Sequence, residues 1–361
     1  MPKHFETLDS FLSSGRFGNA ERILYNTNIL YAGVAELIDG RMGTQVGPML
    51  LLRDSQFQII LRAKIDQTIA ALQRGDLVAA KAILIRIRES YENALSAAAE
   101  EHAELLPINI TGGNKNSHVI AGILDASMKA DGFSKGVQVL APTEKQLEIL
   151  RLSLTFLDQQ LPGISKTVFP FVKTFAIVES EFDSAYNKET PMMFMINYKI
   201  INNPIITAEF LLHESLHQKL NDLQLTNHLV PDDYDDIQSE AEGDVLIPWG
   251  GSSPRPFSIA RALATLHVYL HLLLYYAVVL DLHPEDEFSV FVDRAKMAER
   301  FVRIYRRTCF LFSEFDKCGI QAKVKPDAIS FLNWMAQVKQ AIEASLLFER
   351  VMSVYSPITY H

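Results

Sequence analysis

Residues 213–217 read His-Glu-Ser-Leu-His, and they constrain this chain more than any other stretch because two imidazoles stand four residues apart. Positions i and i+4 share one face of a helix, so both imidazoles can reach a single metal ion with Glu214 close by. The surrounding residues 208–223 are proline-free and apolar at helical spacing, and Asn203-Pro204 is a helix start signal. The sequence therefore predicts a helix that carries a metal site.

Charge and cysteine content favour an intracellular protein. The formal net charge of −9 argues against a general nucleic-acid or anionic-membrane surface. Cys309 and Cys318 are too few for a disulfide framework. Residues 1–7 lack the basic segment and apolar core that begin a secretory signal. We therefore expect a cytoplasmic protein that binds neither nucleic acid nor membrane, and the sequence leaves its oligomeric state unknown.

One apolar segment has nearly the length of a membrane span. Residues 262–280 carry almost no formal charge, but they include two histidines and three tyrosines. Polar groups of this kind are better explained by a buried helix that crosses a large domain. The sequence predicts a core helix here.

The distribution of helical and strand patterns indicates a mostly helical α+β protein. Residues 57–95 read as a helical hairpin interrupted at 74–76, within an N-terminal helical region of residues 1–110. Turn-forming residues at 108–116 mark the expected boundary with a catalytic domain over residues 111–361.

The catalytic domain is expected to contain a small central sheet beside the metal helix. A helix is predicted over residues 144–161, followed by short strands at 175–178 and 193–198. From residue 261 onward the pattern is helical again, which predicts a C-terminal helical cap.

Two imidazoles need a third protein ligand, with positions left open for water or substrate. Glu240 resembles the third ligand of gluzincin peptidases, although its acidic surroundings are equally typical of a solvated loop. His267, with His271 one turn later, is the other candidate, since a histidine in an uncharged buried helix needs a polar partner. A hydrogen bond to a carbonyl or a tyrosine would satisfy such a histidine as well as a metal.

Three elements in order resemble a known protein family. They are residues 211–220 (LLHESLHQKL), residues 247–249 (IPW) with 254–256 (PRP), and residues 266–269 (LHVY). Together they resemble the HExxH-motif peptide-modification proteins of ribosomal peptide pathways, which are regarded as iron- and 2-oxoglutarate-dependent peptide β-hydroxylases. The resemblance covers roughly residues 145–285.

This resemblance implies a ligand set and a co-substrate. His213, His217 and His267 would hold Fe(II), and Arg255 would pair with a carboxylate of 2-oxoglutarate, as a planar guanidinium does bidentately. The spacing around Arg255 departs from the family pattern, so Arg261, which is closer to His267, is the alternative partner.

Two enzyme classes follow from the motif. The resemblance implies hydroxylation of a β-carbon in a ribosomally made precursor peptide, with Glu214 orienting water, a ligand histidine or substrate. The motif alone favours a zinc peptidase of the gluzincin type, in which Glu214 is the general base. A non-catalytic helical interaction protein with a relic motif is a third interpretation.

Overall fold

The computed structural model describes residues 3–51, 54–96, 105–108, 115–130, 136–231, 234–249 and 253–355. Most of these residues are helical, and their strands form a five-stranded mixed sheet and a separate two-stranded sheet. The prediction of a mostly helical α+β protein is confirmed.

The chain forms two compact units, and each is built from segments that are not consecutive in sequence. The sheet unit comprises Ala20–Leu154 and Val168–Gln218, and the helical unit comprises Met1–Asn19, Thr155–Thr167 and Lys219–His361. Six of the residues in the expected domain boundary, 109–114, lie outside the described residues. That boundary therefore stays a prediction.

Helices account for nearly all of the described chain before residue 97. They are α1 (Lys3–Leu12), α2 (Gly15–Gly18), α3 (Ala20–Met42), α4 (Val46–Met49), α5 (Ser55–Gln73) and α6 (Leu77–Ser96).

The predicted helical hairpin is confirmed as α5 and α6. Asp54 caps α5 by accepting a hydrogen bond from the backbone N–H of Phe57. Gly75 has a φ of 74°, in the left-handed region that glycine adopts without a Cβ penalty, so the chain reverses between the two helices.

Five strands form the mixed sheet of the sheet unit. They are β1 (Leu106–Pro107), β2 (Gln138–Val139), β3 (Thr174–Glu179), β4 (Ser184–Tyr186) and β5 (Met193–Asn197). The order is β1-β3-β5-β4, with β2 also paired to β3. Strands β1, β3 and β5 are parallel, whereas β2 and β4 run antiparallel to their neighbours. Strand β4 ends the strand order and therefore lies at an edge. The two predicted strands are confirmed as β3 and β5.

Both faces of the central strands are covered, which explains why β3 and β5 are apolar without alternation. On one face Ala176 and Met195 pack with residues of α5 and of α7 (Lys115–Ala130). On the other face Phe175 stacks on Phe194, with ring centroids 5.4 Å apart, beside Leu211. That second cluster also takes in residues of α8 (Glu144–Gln160).

Leu211 belongs to α10 (Pro204–Thr226), the helix that carries the metal motif. Asn203 begins it, because its side-chain oxygen accepts from the backbone N–H groups of Ile205 and Ile206 at 2.9 and 3.2 Å. The predicted helix and its start signal are confirmed. The division between the two units falls within α10, after Gln218.

The helical unit contains most of the C-terminal half of the chain. Its further elements are α9 (Pro162–Val168, whose last residue lies in the sheet unit), α11 (Asp236–Glu242), β6 (Val245–Ile247), β7 (Arg255–Phe257), α12 (Ile259–Asp281), α13 (Arg294–Phe315), α14 (Cys318–Gln321), α15 (Pro326–Glu343) and α16 (Leu346–Tyr355). Short 3-10 turns lie at Phe169–Phe171 and Ser289–Phe291. Strands β6 and β7 pair antiparallel.

The apolar segment of the sequence forms α12, which packs against α1, α13 and α15. By length and composition it is the kind of helix that can cross a membrane, but 89% of its most apolar window is buried inside the protein. Burial of this extent fits the predicted core helix.

Candidate metal centre

His213 and His217 lie on one face of α10, as their spacing requires. Their Nε2 atoms are 3.2 Å apart, and the two rings are tilted by 59° with centroids at 5.0 Å. Two nitrogens that each lie about 2.0–2.1 Å from one ion are separated by about 3 Å at tetrahedral or octahedral angles. The separation of the two Nε2 atoms therefore matches that of two ligands of one metal ion. The same distance also suits a hydrogen bond from one ring to the other.

Glu214 completes a group whose ligand atoms lie within 4.8 Å of one another. Its Oε1 is 3.9 Å from Nε2 of His213, and only 3% of the residue is exposed. Burial raises the pKa of Glu214, while the His213 ring, the Ser184 hydroxyl and the backbone of Tyr186 act in the opposite direction. A buried carboxyl group thus stands beside the imidazole pair.

Strand β4 holds the Glu214 carboxylate from the sheet side. The hydroxyl of Ser184 donates to Oε1 of Glu214, and the backbone N–H of Tyr186 donates to the same carboxylate. The Tyr186 ring also stacks on the His217 ring, at 6.2 Å and 19°. Ser184 and Tyr186 were not predicted as site residues, because a three-residue strand in a polar segment carries no pattern that assigns it to the metal helix.

His267 and His271 are fully buried on α12, in the helical unit. The His267 ring packs against His271 at 4.5 Å, Phe331 at 5.7 Å and Trp334 at 6.5 Å. Nδ1 of His271 donates to the backbone oxygen of His267 at 2.8 Å, and burial, followed by the nearby Lys219 charge, lowers the pKa of His271 to about 3. His271 is therefore a neutral core histidine bonded within its own helix.

The role of His267 as third ligand stays a prediction. The competing candidate, Glu240, lies on α11 and forms an ion pair with Arg261, at 3.1 Å between Oε1 and Nη1. The Arg261 guanidinium also lies over the Phe257 ring, 4.5 Å from its centroid. Glu240, the alternative third ligand, and Arg261, the alternative partner of the co-substrate, are thus paired with each other.

Arg255 contrasts with Arg261. It is exposed on β7, and its guanidinium forms no hydrogen bond or ion pair within the described part of the chain. Of the two arginines that the sequence singles out, Arg255 is the one available to an incoming carboxylate.

Trp249 anchors the loop that precedes β7. Its ring lies under the Arg307 guanidinium at 5.1 Å and meets Phe310 edge-on at 5.3 Å. Residues 250–252, which complete the loop, lie outside the described residues. The contacts of Trp249 are those of a residue that fixes a loop to α13.

No protein-family model matches the chain, and no curated protein matches it significantly. What the structure shows is a mostly helical α+β protein in which one helix carries a histidine pair and a buried glutamate.

Proposed function

We propose that this protein is an Fe(II)- and 2-oxoglutarate-dependent hydroxylase that acts on the β-carbon of a residue in a ribosomally made precursor peptide. The observation that carries a metal-dependent reaction is the pair of Nε2 atoms of His213 and His217, 3.2 Å apart beside buried Glu214. The narrower assignment rests on the order of motifs in the sequence.

Two structural features favour the hydroxylase over other metal chemistry. The Glu214 carboxylate is already held by Ser184 and by the backbone of Tyr186, which suits a residue that orients the helix and its histidines. Arg255 offers a guanidinium that no residue in the described part of the chain engages. Histidine ligands bring no negative charge to a metal ion, so the co-substrate would supply it.

When bound, iron with 2-oxoglutarate and dioxygen supplies the oxidation that inserts one oxygen atom into a C–H bond, while 2-oxoglutarate loses CO2 and becomes succinate. The residues of this chain hold the ion through His213 and His217, with His267 as the predicted third ligand. Arg255 would position the co-substrate by pairing with its carboxylate.

The test uses protein loaded with Fe(II) under anaerobic conditions. We expect it to bind 2-oxoglutarate and, on exposure to air with a candidate precursor peptide, to form succinate and add the mass of one oxygen atom. Arg255→Ala should weaken 2-oxoglutarate binding about ten- to a hundredfold with iron still bound, because a charge-assisted bidentate pair contributes about 1.5–3 kcal/mol.

Two further variants make this result specific. Arg261→Ala should change 2-oxoglutarate binding less than Arg255→Ala, since Arg261 is engaged by Glu240. Arg303, exposed on α13, provides a matched control as Arg303→Ala. Iron-loaded protein that neither binds 2-oxoglutarate nor forms succinate contradicts the hydroxylase assignment.

Zinc-dependent peptide hydrolysis is the second candidate, and one observation favours it. Glu214 is buried 3.9 Å from the Nε2 of His213, and burial raises its pKa, as a general base near neutral pH requires. In that reaction Glu214 would take a proton from the attacking water. Zinc-loaded protein that cleaves peptides without 2-oxoglutarate would establish this class instead.

A further inference from the structure

A cavity of about 700 Å³ lies within the sheet unit. The proposed reaction assigns it no role. It is bounded by side chains of α5, α6, α7 and the segment that follows β4. Its volume falls within the range of about 300–1,000 Å³ that is usual for ligand pockets. Among the described residues, its charged lining consists of three cations and one carboxylate, namely Lys64, Arg86, Lys188 and Glu189.

Lys64 is the most constrained of these cations, since only 8% of the residue is exposed. Its ammonium group donates to Oε1 of Gln67 at 2.8 Å, and no carboxylate of the described residues lies within ion-pair distance. Burial, together with the Arg86 charge, lowers the pKa of Lys64, and Glu189 partly offsets them. A buried cation without an anionic partner is costly, and a bound carboxylate would relieve that cost.

The other charges leave the cavity net positive. Arg86 and Lys188 are exposed at its rim, and neither forms an ion pair with a described residue. The Glu189 carboxylate accepts from Nε2 of Gln67 at 3.3 Å. Three cations therefore face one carboxylate, which favours an anionic occupant.

The cavity adjoins the metal centre through Tyr186. This residue lines the cavity, stacks its ring on His217 and donates its backbone N–H to Glu214. Ile123 and Met128 add apolar surface to the lining. A ligand in the cavity would thus contact cations and apolar side chains, and only Tyr186 would separate it from the imidazole pair.

We infer that this cavity binds an acidic segment of the peptide substrate, which it holds beside the metal centre through Lys64, Arg86 and Lys188. The inference rests on the proposed function, since it names the substrate class of that site. The combination of several separated cations with apolar wall fits a peptide better than a small dicarboxylate, which would occupy a fraction of the volume.

The experiment measures binding of a fluorescent hexapeptide to the full chain without metal, so that no turnover is involved. The acidic probe carries three glutamates among alanine and leucine, and the matched probe carries three glutamines instead. We expect the acidic probe to bind about tenfold more tightly or better, and added salt to weaken it.

Variants then locate the site. Arg86→Gln combined with Lys188→Gln should weaken the acidic probe about tenfold, and Glu189→Gln should strengthen its binding. Lys81→Gln combined with Lys145→Gln removes the same charge from exposed positions outside the cavity and should leave binding within about twofold. Arg86 and Lys188 are exposed, so their variants are expected to fold.

Equal affinity for both probes, or equal weakening in the control pair, would overturn the inference. Displacement of the acidic probe by free 2-oxoglutarate, at the concentration that saturates the iron-loaded protein, would overturn it as well. Selective peptide binding without hydroxylation would contradict the proposed function while supporting an acidic ligand in the cavity. If the acidic residues of a hydroxylated substrate can be replaced by glutamine without loss of hydroxylation, the inference is contradicted and the proposed function is not.

Discussion

Glu214 takes part in two sets of contacts at once. Its carboxylate lies beside the imidazole pair on α10, and it also accepts hydrogen bonds from Ser184 and Tyr186 on β4. The first contact suits a base and the second suits an orienting residue. A substitution that keeps the hydrogen bonds and removes the charge separates these roles.

Glu214→Gln is that substitution, since its amide oxygen can accept from the Tyr186 N–H while its NH2 group can donate to the Ser184 hydroxyl oxygen. For a hydroxylase we expect metal binding to persist and succinate formation to stay within about tenfold of the unaltered protein. For a peptidase, hydrolysis should fall by about 10²–10⁴-fold with zinc retained, the usual contribution of a general base. Turnover and metal content are measured on the same samples.

Ser184→Ala serves as the control because it removes one donor and leaves the Glu214 side chain itself unaltered. If Ser184→Ala abolishes activity as completely as Glu214→Gln, orientation of the carboxylate is the shared cause. That outcome would contradict a role for Glu214 in proton transfer alone.

Single substitutions also distinguish His267 from Glu240 as the third metal ligand. We expect His267→Ala to lose metal and Glu240→Ala to keep it, because Glu240 is engaged by Arg261 and His267 is fully buried in an apolar helix. His271→Ala provides a comparison of equal size in the same helix. Metal lost on Glu240→Ala and kept on His267→Ala would place the protein in the gluzincin class.

At this scale the sequence predicts part of the site. The approach of His213 and His217 follows from helical spacing alone, so a local pattern suffices. The contacts of Ser184 and Tyr186 with the motif depend on how a short edge strand meets a helix some thirty residues later, and no local pattern encodes that.

At the scale of elements, local signals with a physical mechanism are confirmed. Asn203 caps α10, Gly75 reverses the chain between α5 and α6, and the apolar runs at β3 and β5 form strands covered on both faces. The short strands β1, β2 and β4 were not predicted. Strands of two or three residues are set by their pairing partners rather than by their own composition.

Asp9 joins two helices of the helical unit by a long-range cap. Its carboxylate accepts from the backbone N–H groups of Gly163 and Ile164 at 2.6 and 2.8 Å, at the start of α9. A Cβ at residue 163 would lie 2.7 Å from Oδ2 of Asp9 and 2.6 Å from Oγ of Ser13. Glycine is therefore what allows the carboxylate of α1 to approach this helix end.

Asp9→Ala should destabilise the protein by about 1–3 kcal/mol, because two buried N–H groups lose their acceptor. Asp9→Asn keeps one of the two oxygen acceptors and should destabilise the protein less than Asp9→Ala at neutral pH. Urea unfolding followed by circular dichroism measures both. Equal destabilisation by alanine and asparagine would contradict capping by an oxygen acceptor.

The contribution of Asp9 to the free energy of unfolding depends on pH. Burial raises the pKa of Asp9 above its ordinary value of 3.8, against the opposing effect of the two backbone hydrogen bonds. The folded state therefore binds this proton more readily than the unfolded state, so Asp9 contributes most at low pH and loses that contribution as pH rises through the raised pKa. Relative to Asp9→Asn, the unaltered protein should gain stability between neutral pH and pH 4.

At the scale of the whole molecule, the chain passes repeatedly between its two compact units. Helix α10 contributes His213 and His217 to the sheet unit and its residues after Gln218 to the helical unit. The regions predicted from the sequence are consecutive, because composition and periodicity report local structure and carry no information on which distant segments pack together.

The proposed function requires that the histidine pair bind a metal ion, and metal stoichiometry tests this directly. Protein purified without oxygen, supplied with Fe(II) and freed of excess metal is analysed by inductively coupled plasma mass spectrometry. His213→Ala and His217→Ala are compared with His118→Ala, which removes an exposed histidine of α7. We expect about one ion per chain in the unaltered protein and in His118→Ala, and loss of stoichiometric metal in the other two with the helical circular dichroism retained. Full metal occupancy in both His213→Ala and His217→Ala would contradict a metal site at this histidine pair.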